Sequence, residues 1–369
     1  MDKSNPQIRF SLGGPDNIAD FYYSTYNCTD NKVDHPLSMI FDHKRDHLLI
    51  ADTNNSRILI LSSEDGTLVT KIPNSEGRNC DRTKMFYPTT LAIDDQADRL
   101  FVIENSQQIR AWSLKDYSLI PDILINGRFN NHGLVIDNHR QHFIIVDRHN
   151  NYMRVLSLAD LSELTTIGHP EELSWELRTP IKHRTLSVLR RSLYDHGGIK
   201  IDPDSDRLII TKSYMSGVVM YSLVTNQCLF EFNGTPDKHF NSPRDSCVIN
   251  KGRIIVADTD NCQLRAFTLD GVFISSFPCS IYRPQSIAFN SQRGLIAFAT
   301  EYRIHVIEAN QWLPDTFGDW TPQRHQYAPK TIKDVVLTIT ILRSFGFNCQ
   351  YPTITLLANE LLFQIFGFL

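Results

Sequence analysis

Short apolar runs alternate with polar turns along most of the chain, and this pattern predicts β-strands joined by tight turns. The stretch from Pro36 reads PLSMIFDHKRDHLLIADTNNSRILIL, in which three apolar runs are separated by Asp- and Asn-containing segments. Asp and Asn favour turns, whereas β-branched and other apolar residues favour strands. A fourth run, TLVTKI, follows the turn-forming pair Asp65-Gly66. The unit therefore reads as four antiparallel strands connected in sequence order.

This unit recurs along the chain. Each copy has an apolar run often closed by Asp, a short turn, an apolar strand, a polar turn and another strand. The copies begin at residues 36, 88, 131, 196, 243 and 284. One such unit cannot bury its faces alone, so repeated units stack around a common axis. The repeat predicts an all-β fold, a six-bladed β-propeller.

Two of the copies carry a recognisable motif. The stretches IADTNNSRILIL at 50–61 and VADTDNCQLRAF at 256–267 share an apolar-Ala-Asp-Thr-x-Asn pattern, and copy three keeps Asp147 and Asn150. Copies two, four and six have lost the Asp-Asn turn and keep only the apolar pattern. These residues resemble the NHL repeat family over about 36–308, and the resemblance implies a six-bladed propeller.

The two ends of the repeat region predict how the ring closes. The strand-like run QIRFSLGG at 7–14 precedes the first copy, and the sixth copy has no clear fourth strand after YRIHVIE. We expect 7–14 to pair with the sixth copy as its outer strand, because pairing there joins the two ends of the ring. The predicted propeller domain spans residues 1–308.

One face of the propeller is the candidate binding surface. The turns of the middle hairpins and the connections between blades lie on the same face, so the inserted segment 168–195 is expected there. The alternative is that 168–195 is an expanded loop without a role. The residues predicted to form a partner-binding face are Asn54, Asn55, Arg57, Gln107, His149, Asn150, Tyr152, Tyr214, Asp260, Asn261 and Arg303.

The C-terminal segment, 309–369, departs from the repeat. After an aromatic, proline-rich linker, KTIKDVVLTITILRSF and LLANELLFQIFGFL place apolar residues at helical spacing, which predicts a small α-helical tail. The β-branched residues of the first stretch leave a strand open as an alternative. The apolar positions predicted to dock a partner are Ile332, Val336, Leu357, Leu361, Leu362, Ile365, Phe366 and Leu369.

The tail resembles parts of two docking modules. LANELLFQIFGFL is similar to the opening helix of an F-box, with Ala358 in place of Pro and the remainder of the box absent. The two segments together are similar to a SOCS box, with Val336 where the adaptor-contacting Cys would be. Both resemblances imply docking to a cullin-type ubiquitin ligase. The alternative is that both segments fold against the side of the propeller and only stabilise it.

Composition narrows the function classes. The chain has 369 residues and a formal net charge of -4, which removes the broad attraction that most nucleic-acid binders use. No apolar run approaches the roughly 20 residues that span a bilayer, and the N-terminus has no secretory signal pattern. The seven cysteines include no C-x-x-C pair, so we expect reduced thiols, no zinc framework and a cytoplasmic protein.

Three functions remain open. The first is a protein-interaction scaffold that recognises a substrate for a ubiquitin ligase, a role in which NHL propellers often serve. The second is RNA binding, which would need a basic face with stacking aromatics. The residues that would form this face are Arg57, His149, Tyr152, Arg154, Tyr214 and Arg303.

The third function is a metal-dependent lyase or hydrolase. His35, His132 and His196 recur near the starts of inner strands, where three imidazoles would ring one channel mouth. No carboxylate partner or fixed spacing supports a metal, and the chain lacks G-x-S-x-G, Walker and H-E-x-x-H motifs. We therefore expect no intrinsic catalysis, no cofactor and no metal. The recurring Asp42, Asp94, Asp137 and Asp202 are predicted to cap turns.

Overall fold

The first strands of six blades surround a central axis. The computed structural model describes residues 8–13, 33–72, 85–127, 129–147, 152–167, 196–202, 204–213, 216–249, 252–279 and 283–313. Within them, the strands form six four-stranded antiparallel sheets, which confirms the predicted six-bladed β-propeller. Five blades use four consecutive strands, numbered from the axis outwards.

The strand bounds follow the sequence repeat. Blade one contains β2 (Pro36–Asp42), β3 (His47–Asp52), β4 (Arg57–Ser62) and β5 (Leu68–Ile72). Blade two contains β6 (Pro88–Asp94), β7 (Arg99–Glu104), β8 (Gln108–Ser113) and β9 (Leu119–Asn126). Blade three contains β10 (Phe129–Asp137), β11 (His142–Asp147), β12 (Tyr152–Ser157) and β13 (Glu163–Ile167).

The remaining blades follow the same order. Blade four contains β14 (His196–Asp202), β15 (Arg207–Lys212), β16 (Gly217–Ser222) and β17 (Cys228–Phe232). Blade five contains β18 (Asp245–Ile249), β19 (Arg253–Asp258), β20 (Gln263–Thr268) and β21 (Phe273–Pro278). Blade six contains β22 (Ser286–Asn290), β23 (Leu295–Ala299), β24 (Arg303–Glu308) and β1 (Ile8–Gly13).

The ring closes as the sequence predicts. Strand β1 pairs antiparallel with β24, with Ile8 opposite Ile307 and Gly13 opposite Arg303. The N-terminal strand thus supplies the outer strand that the sixth copy lacks. The edge of the last blade is paired by a strand from the other end of the propeller.

Strands of the blade interiors are apolar on both sides because each side packs against a different neighbour. Leu48 and Ile50 pack with residues of blade six, whereas Leu49 and Ala51 pack with residues of blade two. All four side chains are fully buried. A buried Leu or Ile contributes roughly 1.5–3 kcal/mol before entropy losses, so the interfaces between blades form the hydrophobic core.

The turn between the first and second strands is capped by a carboxylate, as predicted. Asp42 Oδ1 accepts hydrogen bonds from the backbone N–H groups of Lys44 and Arg45 at 3.0 and 3.2 Å. The same turn-capping contact is made by Asp94, Asp137 and Asp202. These aspartates therefore stabilise local turns, and their carboxylates are engaged with the backbone.

The last described segment packs against blade five. After β24, the short helix α1 (Ala309–Trp312) places Trp312 Nε1 3.0 Å from Ser275 Oγ. The inserted segment 168–195 and residues 314–369 of the predicted C-terminal linker and helical tail lie outside the described residues. In the part of the chain that is described, no helix combines the length and apolar character needed to cross a bilayer.

Candidate recognition face

One face of the ring gathers the middle hairpin turns and the segments that lead into the first strands. The backbone N–H of Asn54 donates to the carbonyl of Asp34 at 3.2 Å. The equivalent bonds join Asn105 to Tyr87 and Asp260 to Asn241, each at 3.0 Å. We call this surface the entry face: it consists of the turns between second and third strands and of the residues directly before each first strand.

In blade one, a buried carboxylate holds the entry segment to the turn beside it. Asp52 ends β3 and is fully buried. Its oxygens accept hydrogen bonds from the backbone N–H of Asp34 at 2.8 Å, from Arg57 Nε at 2.7 Å and from Asn55 Nδ2 at 3.0 Å. Burial raises the pKa of Asp52, and these donors and the Arg57 charge oppose that effect. The cluster fixes the backbone of the entry face.

Blade two contains an equivalent buried carboxylate, although its sequence lacks the Asp-Asn turn. Glu104 takes the place of Asp52, and it accepts hydrogen bonds from the backbone N–H of Phe86 at 3.2 Å and from Arg110 Nη2 at 2.6 Å. Burial raises the pKa of Glu104, and Arg110 opposes the shift. Glu104 is absent from the predicted residues because blade two lacks the Asp-Asn turn that identifies the position in blades one and five. The useful signal is a carboxylate that closes the second strand, followed by an arginine on the third.

Blades four and five vary this arrangement. In blade five, Asp258 accepts hydrogen bonds from the backbone N–H of Asn241 at 2.8 Å and from Gln263 Nε2 at 3.0 Å. In blade four, the buried Lys212 stands at the end of the second strand and pairs with Glu231. The charge order is reversed, and the ion pair at this position joins a buried lysine to a half-buried glutamate.

The structure separates the predicted face residues into interior and surface groups. Arg57 is 2% exposed, and it serves the blade interior with Asp52. Asn55 and Asn261 donate to the same kind of buried carboxylate. Contact with a partner requires an accessible side chain, and the side chain of Arg57 is buried.

The other predicted residues lie nearer the surface or outside the described part. Asn54 and Gln107 are exposed on their turns, and Asp260 pairs with Arg283. Tyr152 begins β12 and Arg303 begins β24, both half-buried. The residues that lie outside the described part of the chain are His149, Asn150 and Tyr214.

Two exposed aromatic residues lie on the entry face in addition to the residues predicted from sequence. Phe86 and Tyr87 are 47% and 41% exposed, and their rings pack edge to face at 4.8 Å. The backbone N–H of Phe86 is fixed by Glu104, and that of Tyr87 donates to Ser56 Oγ at 3.3 Å. The pair therefore presents apolar surface on a backbone that is held in place.

Residues in front of three first strands adopt left-handed backbone conformations. His35, Tyr87 and Ser242 have φ values of 50°, 47° and 49°, and each directly precedes a proline. A proline disfavours most backbone conformations of the preceding residue other than extended ones, so these positions are strained. The entry-face hydrogen bonds supply the constraint that keeps them there.

The seam between blades six and one is rich in charge. His35 lies between two carboxylates, with Nδ1 2.6 Å from Asp34 Oδ1 and Nε2 2.8 Å from Glu301 Oε1. The hydrogen bond to Asp34 is the main cause that raises the pKa of His35, against the opposing effect of burial. The ring of Tyr302 packs edge-on to that of His35 at 5.6 Å. The imidazole is thus oriented by two acids and one aromatic ring.

The metal-site and RNA-binding alternatives predicted from sequence have few supporting side chains among the described residues of this face. The side chains of His132 and His196 lie outside those described, and the described residues contain no group of three or more His, Cys, Asp or Glu placed to hold a metal. For the RNA alternative, Arg57 is buried, and Arg154 Nε donates to Glu163 Oε2 at 2.7 Å. Both arginines are engaged with carboxylates of the propeller.

Comparison with known proteins identifies one of the repeats. Residues 240–267 match the family model for the NHL repeat. The match covers the entry segment, β18, β19 and most of β20 in blade five, and it agrees with the resemblance of 256–267. No curated protein matches the chain. An NHL repeat within a six-bladed propeller is typical of a protein-interaction scaffold.

Proposed function

We propose that this scaffold recognises a protein partner on its entry face and presents it to a cullin-type ubiquitin ligase through the C-terminal tail. The observation that supports recognition is the Phe86–Tyr87 pair. Exposed aromatic side chains dominate the energetics of many protein interfaces, because they bury large areas at a small cost in conformational entropy. Hydrogen bonds to Glu104 and Ser56 already order the backbone that carries the pair, so little backbone entropy is lost on binding.

The ligase link is supported by the sequence of the tail. LANELLFQIFGFL resembles the opening helix of an F-box, and the two tail segments together resemble a SOCS box. Apolar residues at helical spacing would give the adaptor a continuous surface to bury. An uncovered surface of that kind favours aggregation, so a partner or the propeller would need to cover it.

Recognition is tested by site-specific crosslinking of the full chain in cells. A photoreactive amino acid in place of Tyr87 is expected to capture a partner, and the same amino acid in place of Val224 serves as the control. Val224 is 69% exposed and lies in the turn between β16 and β17, on the opposite face. Phe86→Ala combined with Tyr87→Ala should weaken partner binding by tenfold or more, whereas Val224→Ala should not. Equal capture at both positions would refute the entry face as the recognition surface.

The ligase link is tested separately with purified full chain and purified cullin adaptors. The chain should bind an adaptor, and Leu361→Asp combined with Ile365→Asp should abolish that binding while the melting temperature of the propeller stays unchanged. If the double variant unfolds or precipitates the whole protein, the tail is structural and the ligase link is wrong. If the unaltered chain binds no adaptor, the link is equally refuted.

A further inference from the structure

Arg244 occupies a fixed position on the entry face, directly before β18. Its backbone N–H donates to the carbonyl of Ala257 at 3.1 Å, and its own carbonyl accepts the N–H of Gly198 at 2.6 Å. A Cβ on Gly197 would lie 1.8 Å from that carbonyl oxygen, so blades four and five meet closely here. The base of the Arg244 side chain is therefore held by two blades.

The guanidinium of Arg244 has no carboxylate partner among the described residues. Nη1 donates to Gln285 Oε1 at 3.2 Å, and Gln285 is itself 6% exposed. The neighbouring acid, Asp260, forms an ion pair with Arg283 instead. Burial is the main cause that lowers the pKa of Arg244; the Arg283 charge adds to it, and the charges of Asp260 and Glu301 oppose it. The half-buried guanidinium has nearby carboxylates but no direct ion pair with one, so a carboxylate that bound it directly would stabilise its charge.

Other buried arginines of the propeller contrast with Arg244. Arg57 is paired with Asp52 at 2.7 Å, and Arg110 is paired with Glu104 at 2.6 Å. Each of these pairs stabilises the interior of a blade. The planar guanidinium of arginine binds carboxylates through two parallel hydrogen bonds. The Arg244 guanidinium, near the surface, can bind a carboxylate in the same way, and no carboxylate in the described part of the chain is paired with it.

We propose that Arg244 is the anchor for an acidic side chain, Asp or Glu, of the protein partner. The inference rests on the proposed function and names the chemistry of the segment recognised. Arg283, which is 54% exposed at its side chain, lies close enough to contribute a second positive charge. The aromatic pair on blade two supplies apolar contacts on the same face, and Arg244 supplies the charge contact.

The surrounding charges favour a protein segment over a nucleic acid. Asp260 and Glu301 lie near Arg244, and Glu301 in turn contacts His35. A polyanionic backbone that reached Arg244 would be repelled by these carboxylates, and the chain carries a formal net charge of -4. A single acidic side chain brings only one negative charge to Arg244, and basic residues that flank it would complement Asp260 and Glu301.

The experiment selects ligands without knowing the partner. A library of random 12-residue peptides displayed on phage is selected on the full chain, and the peptides obtained are synthesised and measured for affinity. We expect them to share an Asp or Glu. Arg244→Gln should weaken their binding by tenfold or more, and Arg244→Lys, which keeps the charge but not the fork, should weaken it less. The matched control is Arg207→Gln, because Arg207 pairs with the exposed Asp270 at the other end of a blade.

Replacing the shared acid of the peptide by its amide separates the contact from indirect effects. The amide peptide should bind the unaltered chain as weakly as the acidic peptide binds the Arg244→Gln variant, and the two losses should not add. Additive losses of affinity, or acidic peptides whose affinity does not depend on Arg244, would overturn the proposal. A protein whose Phe86 and Tyr87 bind peptides independently of Arg244 would keep the proposed function while this inference fails.

Single-stranded RNA of 12 nucleotides is the second probe. Binding of RNA that is lost in Arg244→Gln, together with no Arg244-dependent peptide, would also overturn the proposal. The melting temperature of each variant is measured first. If Arg244→Gln unfolds, Arg283→Gln serves in its place, and a peptide affinity unchanged by Arg283→Gln then counts against the anion site.

Discussion

Arg293 and Asp46 lie 247 residues apart in sequence, and their side chains join the last blade of the ring to the first. Arg293 Nε is 2.6 and 2.8 Å from the two carboxylate oxygens of Asp46, and a second nitrogen of the guanidinium also contacts Asp46. The strand pairing of β1 with β24 closes the ring at its rim. The ion pair closes it again on the face opposite the entry face.

The same contact recurs between other blades. Arg45 contacts Asp98 at 3.0 Å, and Arg140 contacts Asp206. In each pair the arginine lies in the first turn of one blade and the aspartate in the first turn of the next. The aspartates Asp46, Asp98 and Asp206 have φ values of 57°, 53° and 52°. A polar turn residue with a left-handed backbone thus places its carboxylate within reach of the preceding blade.

Arg293→Gln is expected to destabilise the propeller by about 1–2 kcal/mol. Hydrogen bonds to charged groups contribute about 1.5–3 kcal/mol, and partial exposure reduces this by solvent screening. The free energy of unfolding in urea measures the loss. Arg207→Gln is the control: it removes an ion pair with Asp270, which is 78% exposed, and one hydrogen bond to the Leu269 carbonyl at 3.1 Å, so its change should stay within about 1 kcal/mol. Equal losses of unfolding free energy in both variants would show that the Arg293–Asp46 pair stabilises the propeller no more than an exposed ion pair does.

The repeat and the ring closure followed from the sequence because hydrophobic burial imposes a pattern on every blade. Strands such as β3 alternate between two interfaces, so both sets of side chains are apolar and the run is recognisable. The prediction that 7–14 completes the last blade followed from the missing strand after β24. Turn capping by Asp42 was predicted for a similar reason, since a short local motif determines it.

The charge clusters of the entry face were harder to predict. Glu104 and Lys212 occupy one structural position but differ in charge and length from Asp52, so a motif search misses them. What is retained is an ion pair with a buried residue at the end of the second strand, and its partners come from different strands. Phe86 and Tyr87 precede a strand in an irregular segment, where neither periodicity nor composition indicates exposure.

Arg57→Met is expected to cost about 3 kcal/mol or more at neutral pH, because it leaves the buried carboxylate of Asp52 without its cation. The control is Arg154→Met, because Arg154 pairs with Glu163, which is 43% exposed at its side chain. That pair should contribute no more than about 1 kcal/mol. Urea unfolding of both variants gives the comparison.

The loss in Arg57→Met should shrink as the pH falls. The Arg57 charge lowers the pKa of Asp52 against the larger effect of burial, so its removal raises that pKa further. An acid with a raised folded-state pKa binds a proton more readily in the folded state, and stability is recovered as the pH falls through that pKa. A loss that stays constant from neutral pH to about pH 4 would contradict the proposed coupling.

His35 is expected to make stability depend on pH above its ordinary pKa of 6.5. The neighbouring carboxylates raise the folded-state pKa, so protonated His35 stabilises the fold. This contribution is present below pH 6.5 and is lost as the pH rises through the raised value. Burial lowers the pKa of His43 and His47, so their effects fall below 6.5.

The test compares urea midpoints of the unaltered chain and of His35→Gln at several values between about pH 6 and pH 9. The unaltered chain should lose stability over this range, and His35→Gln should lose less. A parallel course of the two curves would mean that Asp34 and Glu301 do not favour the protonated ring. The variant keeps a polar side chain at position 35. Its circular dichroism spectrum checks that the propeller still folds.

Gly197 is expected to tolerate no side chain, because blades four and five touch at its Cα. A Cβ there would lie 1.8 Å from the carbonyl oxygen of Arg244 and 2.4 Å from its carbonyl carbon. Backbone atoms cannot move aside as the end of a flexible side chain can, so Gly197→Ala must separate β14 from β18. Overpacking of this kind costs about 1–3 kcal/mol or more, and the bond between the Gly198 N–H and the Arg244 carbonyl would weaken with it.

The matched control is Gly252→Ala, which separates steric overlap from backbone strain. Gly252 has a φ of +64°, and a Cβ there would meet only Leu269 Cδ1 at an ordinary 3.5 Å. Its alanine variant should therefore lose only the roughly 1–2 kcal/mol of a left-handed backbone. Thermal unfolding should place Gly197→Ala well below Gly252→Ala, and Gly197→Ala should also weaken Arg244-dependent peptide binding, since it displaces the backbone that carries Arg244. A Gly197→Ala protein as stable as the unaltered chain would show that the two blades do not meet as closely as the contact requires.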